Sequence, residues 1–158
     1  MSRHPGARAG GLFVGRPTAE NGIVTLSEAL ALNPGARVEI VAPGREAQAR
    51  MHGAAYLVLP SLACDELPRP LIEAFAHGLP VIASRIGLLA EAVESGRNGL
   101  LFEAGSAREL ARHLAWADAF PEKMRQMGEC AKADYAARWR SNWSYQRLFG
   151  ERRRAARV

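Results

Sequence analysis

The sequence predicts an α/β fold: one domain with a parallel sheet of about five strands, flanked by helices. Three observations predict it. Short apolar runs recur at Leu12-Phe13-Val14, Tyr56-Leu57-Val58-Leu59, Val81-Ile82-Ala83 and Leu100-Leu101-Phe102. They are continuous rather than alternating, as in strands buried on both faces. Helical stretches lie between them, and strand, helix and strand within roughly thirty residues imply parallel neighbours.

The stretch from Tyr56 to Ser84 organises the chain. Pro60 and Ser61 stop the first strand, and a polar loop with Cys64, Asp65 and Glu66 follows. Pro70 fits the first turn of a helix, where its missing N–H costs nothing. Leu71, Ile72, Ala74 and Phe75 form an apolar side, and Gly78 ends the helix. Pro80 leads into Val81-Ile82-Ala83. Ligands of such sheets bind at the carboxyl ends of strands, which here means Ser61 to Arg69.

The remaining elements follow in order. Met1 to Gly10 reads as a disordered leader, and residues 11–149 as the domain. Gly15, Arg16 and the loop Pro17 to Gly22 follow the first strand. Ile23 to Leu32 is a helix with Leu26, Ala29 and Leu30 at helical spacing. Arg37 to Val41 is a strand, and Arg45 to Met51 a short helix. Leu88 to Glu94 is another short helix, with Glu91 on its polar side. Ser106 and Glu109 have capping-box spacing for a helix running to about Ala119. Pro121 starts a last helix, Glu122 to Trp139, with Met124, Met127, Ala131 and Tyr135 as apolar positions. Trp139, Trp143, Tyr145 and Phe149 read as packing anchors.

Composition bounds the function. The chain has 158 residues, 48% hydrophobic and 23% charged, a globular balance for one domain. Two cysteines, Cys64 and Cys130, outline no disulfide framework and no zinc spacing, and they suit a reducing cytoplasm. No apolar run is long enough to span a bilayer. The net charge of +5 is concentrated at the ends. The tail, residues 150–158, carries four arginines against Glu151. Its Arg152-Arg153-Arg154 run suits a weak contact with the inner face of a membrane, or is simply a solvated terminus. It lacks interleaved aromatics, which argues against nucleic acid. No Gly-x4-Gly-Lys-Ser/Thr occurs, and no Gly-x-Gly-x-x-Gly follows the first strand. The first absence removes a phosphate-loop hydrolase, and the second argues against a dinucleotide oxidoreductase.

Asp65 and Glu73 are eight positions apart, one before the helix and one inside it. Ionised carboxylates accept charge-assisted hydrogen bonds from polyol hydroxyls, and a helix N-terminus suits a diphosphate. On spacing alone, Asp65 reads first as a carboxylate answering the helix dipole, and Glu73 as a solvated helix residue. The longer string adds to this. Acidic-x7-Glu followed by Ala-Phe-Ala-x-Gly-x-Pro-Val-Ile-Ala-Ser resembles the donor-sugar motif of retaining GT-B glycosyltransferases, above all the family 4 group. Gly15-Arg16 and Asn21-Gly22 resemble that family's Gly-Arg-x-x-x-Glu-Lys-Gly opening motif. Glu91 to Phe102 resembles its last βα unit.

The resemblance implies a Rossmann-like domain, the C-terminal donor-binding half of such an enzyme. It covers about Gly11 to Phe149. It implies catalytic roles for Asp65, on the donor sugar's hydroxyls, for Glu73, on the ribose, and for Arg16, on the diphosphate. It implies donor contacts at Arg16, Asn21, Asp65, Leu67, Arg69, Glu73 and Gly87. The chain departs from the pattern in three ways. Asp65 replaces the usual Glu, Glu66 and Pro68 replace glycines, and Asn21 replaces a lysine. The last removes one of two expected cations. Relative to the family, one helix and one strand after Gly44 are absent, so the sheet loses a strand and gains an exposed edge suited to self-association.

The resemblance further implies a nucleotide-diphosphate sugar as donor, no metal and no other cofactor. A partner is implied too: an acceptor-binding subunit in trans, or a second copy. Three readings stay open at this point: the donor half of a glycosyltransferase, a non-catalytic nucleotide-sugar binder, and an inactive domain acting in assembly.

Overall fold

The computed structural model describes residues 10–140. Five strands are joined by helices: β1 (Gly11–Val14), α1 (Ile23–Leu32), β2 (Val38–Val41), α2 (Arg45–Met51), β3 (Tyr56–Leu59), α3 (Arg69–Ala76), β4 (Val81–Ser84), α4 (Gly87–Ala92), β5 (Gly99–Phe102), α5 (Ala107–Ala119) and α6 (Pro121–Asp134). All pairings are parallel, and the strand order is β2-β1-β3-β4-β5. The chain moves outward from β1 to β2, then returns to the other flank of β1 with β3. The order therefore reverses between β1 and β3, and ligands of such sheets bind beyond the carboxyl ends of the strands at that point.

The period-2 alternation of each strand divides the core. Leu12, Leu57, Leu59, Val81 and Ala83 point to one layer, with Met51, Leu71, Ile72, Phe75 and Leu89 from α2, α3 and α4. Phe13, Tyr56, Val58, Ile82 and Phe102 point to the other, with Leu26, Ala29, Leu110 and Leu114 from α1 and α5. The helix α6 supplies Ala131 to the first layer and Met124 and Met127 to the second. Both faces are covered, which is why the strands carry almost no polar residue. Burying Leu71, Ile72 and Phe75 stabilises α3 on the sheet by about 2 kcal/mol each.

β2 is the exception. It lies at the edge, Ile40 is 48% exposed, and Glu39 pairs with Arg50 of α2 at 3.2 Å. A charged pair beside an open edge opposes strand addition from that side.

Several expectations need correction. The helix expected to run from Leu88 to Glu94 starts at Gly87 and stops at Ala92. Val93 is already extended, and the Glu94 N–H donates to the side chain of Asn98 at 2.7 Å rather than continuing the helix. The last helix is α-helical only to Asp134; Tyr135–Trp139 forms one π turn, closed by Arg140 N–H to Tyr135 O at 2.7 Å. The capping box is half made. Ser106 Oγ accepts from Glu109 N–H at 3.2 Å, but the Glu109 carboxylate turns to Glu103 N–H at 3.1 Å. Trp139 is an anchor, buried edge-on against Phe75 at 5.7 Å. Trp143, Tyr145, Phe149, the leader before Gly10 and the basic tail lie outside the described residues.

Candidate functional site

Three loops meet at the carboxyl edge of the sheet. The first, residues 15–22, follows β1 at the point of reversal. Gly15 N–H donates to Val41 O at 3.1 Å, tying the loop to β2. Arg16 is exposed, and its carbonyl oxygen accepts from Thr18 N–H at 2.8 Å and from Asn21 Nδ2 at 2.9 Å. Asn21 N–H in turn donates to Thr18 Oγ1 at 3.2 Å. Asn21 thus spends its amide closing its own loop and presents no positive charge. Arg16 remains the cation of this loop.

The second loop, residues 60–68, follows β3 and is stitched to the first. Leu62 N–H donates to Glu20 O at 2.9 Å. Gly22 has φ +84°, and a Cβ there would lie 2.5 Å from the carbonyl carbon of Pro60. Only glycine lets these two backbones touch. Asp65 and Glu66 are exposed at the tip, while Leu67 is partly buried against the core. Leu67 is therefore an anchor for the loop, with only its backbone left for a ligand. Pro68 precedes α3 with no side-chain cap, so the positive end of the helix dipole faces the loop.

The third loop, Arg85 and Ile86, enters α4. Gly87 has φ +46°, and its α-carbon packs on the carbonyl of Cys64, where a Cβ would sit 3.5 Å from the carbonyl carbon and closer still to its oxygen. The glycine is thus required by a contact within the fold, whatever else its backbone meets. The Cys64 thiol donates to Glu66 O at 3.0 Å. Burial raises its pKa, partly offset by the Leu89 and Leu88 backbone groups.

Glu73 stands one turn into α3. Its side chain is only 12% exposed, and Oε1 accepts from Arg69 Nε at 2.9 Å. Gln48 Nε2 of α2 donates to the same oxygen at 3.4 Å. The i,i+4 pair Arg69–Glu73 is readable from spacing. Gln48 is not, because it is 25 residues distant and reaches Glu73 only through the packing of α2 beside α3.

The structure thus places Arg16, Asn21, Asp65, Leu67, Arg69, Glu73 and Gly87 on three adjoining loops and the first two turns of α3. Arg69 pairs with Glu73, while Arg16 and Arg85 are exposed on their loops. Among the described residues no group of three or more His, Cys, Asp and Glu could hold a metal ion. Among the described residues no helix is long and apolar enough to cross a membrane.

A parallel α/β domain with a polar, carboxylate-bearing edge at its point of strand reversal defines the Rossmann-like class and matches the C-terminal half of GT-B glycosyltransferases. Residues 12–134 match the glycosyl transferases group 1 family, and the chain belongs to it. It is 30% identical over 122 residues to D-inositol 3-phosphate glycosyltransferase of Corynebacterium urealyticum, covering 77% of this chain and 27% of that protein. Its fold is similar to Anabaena Alr3699/HepE, solved in complex with UDP and glucose, with TM-score 0.77 and 21% identity over 92% of this chain and 48% of that one. It is also similar to the C-terminal domain of a group 1 glycosyl transferase (LpcC) from Francisella tularensis, with TM-score 0.67 and 17% identity. That match covers 84% of this chain and 88% of the solved domain. The chain thus spans about a quarter of the curated relative and about half of HepE.

Proposed function

We propose that this domain is the donor-binding half of a retaining glycosyltransferase that takes its sugar from a nucleoside-diphosphate sugar. One observation carries the reading: Asp65 and Glu73 flank the N-terminus of α3 at the point of reversal, with Arg16 on the loop stitched beside them. Membership of the group 1 family and the UDP and glucose bound by HepE support it.

In this reading Asp65 accepts hydrogen bonds from the donor sugar's hydroxyls and Glu73 from the ribose. Arg16 and the α3 N-terminus neutralise the diphosphate between them. The bond between the anomeric carbon and the diphosphate oxygen breaks, and its electron pair leaves with the nucleotide. The acceptor hydroxyl oxygen bonds to the anomeric carbon from the same face and gives its proton to the leaving phosphate. Fixed cations aimed at that developing charge are worth a few kcal/mol each. Asn21 contributes none. The acceptor would sit on a second domain, supplied in trans or by a second copy. The reaction would take place in the cytoplasm.

Isothermal calorimetry with UDP, GDP and their sugars tests this. Weak binding is expected, lost in Glu73→Ala; unchanged binding in the variant would remove Glu73 from the site. A second reading, a nucleotide-sugar binder without transfer, is favoured by the Asn21 bond to Arg16 O, which leaves the loop with a single cation. Nucleotide binding with no transfer to any acceptor, even beside an acceptor domain, would select it.

A further inference from the structure

The Glu73 carboxylate is not symmetrical in its surroundings. Arg69 Nε and Gln48 Nε2 both donate to Oε1, at 2.9 and 3.4 Å, from α3 itself and from α2. Among the described residues no donor meets Oε2. A carboxylate oxygen accepts about two hydrogen bonds, so Oε1 is filled and Oε2 is open. Two donors from different helices also fix the rotation of the group, which a single i,i+4 partner on the same helix does not.

We infer that Gln48 is a positioning residue for ribose recognition: together with Arg69 it commits Oε1, so that Oε2 is the atom presented to the vicinal hydroxyls of a ribonucleotide. The inference rests on the reading of Glu73 as the ribose contact. It makes a glutamine on α2, outside every motif of the chain, a determinant of selectivity for ribonucleotides over deoxy forms. Gln48 touches no reacting atom; it acts through Glu73. Removing it frees the carboxylate to turn, and the ordering cost then falls on ligand binding.

The test is calorimetry on the full chain with UDP and GDP against their 2′,3′-dideoxy counterparts. A hydrogen bond to a charged group, discounted for partial exposure, predicts that the wild type prefers the ribose form about tenfold. Gln48→Ala is expected to cut that preference about threefold while leaving affinity for the dideoxy form unchanged. Gln48→Lys, which keeps a donor for Oε1, is expected to retain it. Weakening of both forms alike in Gln48→Ala, at an unchanged ratio, would mean a merely structural role and overturn the inference. A ratio lost in Glu73→Ala but intact in Gln48→Ala overturns it while sparing the parent reading. A ratio that survives Glu73→Ala, or a wild type that binds neither nucleotide, overturns both.

Discussion

Replacing Gly22 by alanine probes the stitch between the two loops that follow β1 and β3. The cost has two parts. Gly22 sits at φ +84°, which an L-residue adopts at about 1 kcal/mol or slightly more. The new methyl would also lie 2.5 Å from the Pro60 carbonyl carbon. Carbon atoms rest at about 3.5–4.0 Å, so one backbone must retreat by about 1 Å. Neighbouring backbone cannot swing aside as a side-chain tip can, and overpacking of this kind costs about 1–3 kcal/mol. The sum is about 2–4 kcal/mol, a large share of the roughly 5–15 kcal/mol available to a domain. Gly105 supplies the control. Its φ is also +84°, but the nearest atom to its Cβ position is Leu62 Cδ2 at 4.0 Å. Gly105→Ala should therefore lose only about 1 kcal/mol. Urea denaturation of both variants separates the terms, and Gly22→Ala should melt about 10 °C lower than wild type. Equal losses in the two variants would refute the claim that Pro60 and Gly22 are in obligatory contact.

Other outcomes follow from the same structure. Asn21→Lys returns a cation to the β1–α1 loop and removes its bond to Arg16 O. Affinity for a nucleoside diphosphate should rise about threefold to tenfold at low ionic strength, and calorimetry should show the gain shrinking as salt is added. Asn98 is fully buried, accepts from Glu94 N–H and donates to Ala92 O and Asp134 Oδ2. Asn98→Ala should cost about 2–4 kcal/mol in urea denaturation, because it orphans a backbone donor and part of a carboxylate. Tyr56 is held far above its ordinary pKa, first by burial and then by Asp118, whose carboxylate faces its hydroxyl at 3.5 Å. The folded state keeps the phenol proton where the unfolded chain releases it at about pH 10, so this contribution is present below pH 10 and lost above it. Tyr56→Phe should flatten the fall in stability between pH 10 and 12 measured by denaturant titration; an unchanged slope would exclude Tyr56 as its source.

Much of this architecture is legible from residue patterns alone. Tyr56-Leu57-Val58-Leu59 and Val81-Ile82-Ala83 announce strands because both faces of each are covered. Ile23 to Leu32 and Arg45 to Met51 announce helices whose bounds coincide with α1 and α2. Pro70 and Gly78 mark the ends of α3 because their backbone chemistry is local. Asp65, Glu73 and Arg16 stand out through motif spacing, and the fold brings their elements to one edge. What stayed hidden depends on contacts across the fold. The early end of α4 depends on Asn98 capturing Glu94 N–H. The role of Asn21 depends on a carbonyl five residues back. Gln48 acquires meaning only when α2 lies beside α3, and the need for glycine at position 22 only when Pro60 arrives beneath it.

The position of β1 has a further consequence for how the chain matures. The first strand of the domain's sheet lies in the interior, between β2 and β3, with register partners at Val38 and at Tyr56. While a ribosome is still extending the chain, β1, α1 and β2 can close on one another, yet one flank of β1 stays unsatisfied until β3 is made. The backbone groups of β1 that pair with β3 lack their partners for that interval. Parallel pairing across such separations is slow, so the closing of β3 on β1 is a step at which this domain's folding rate is set.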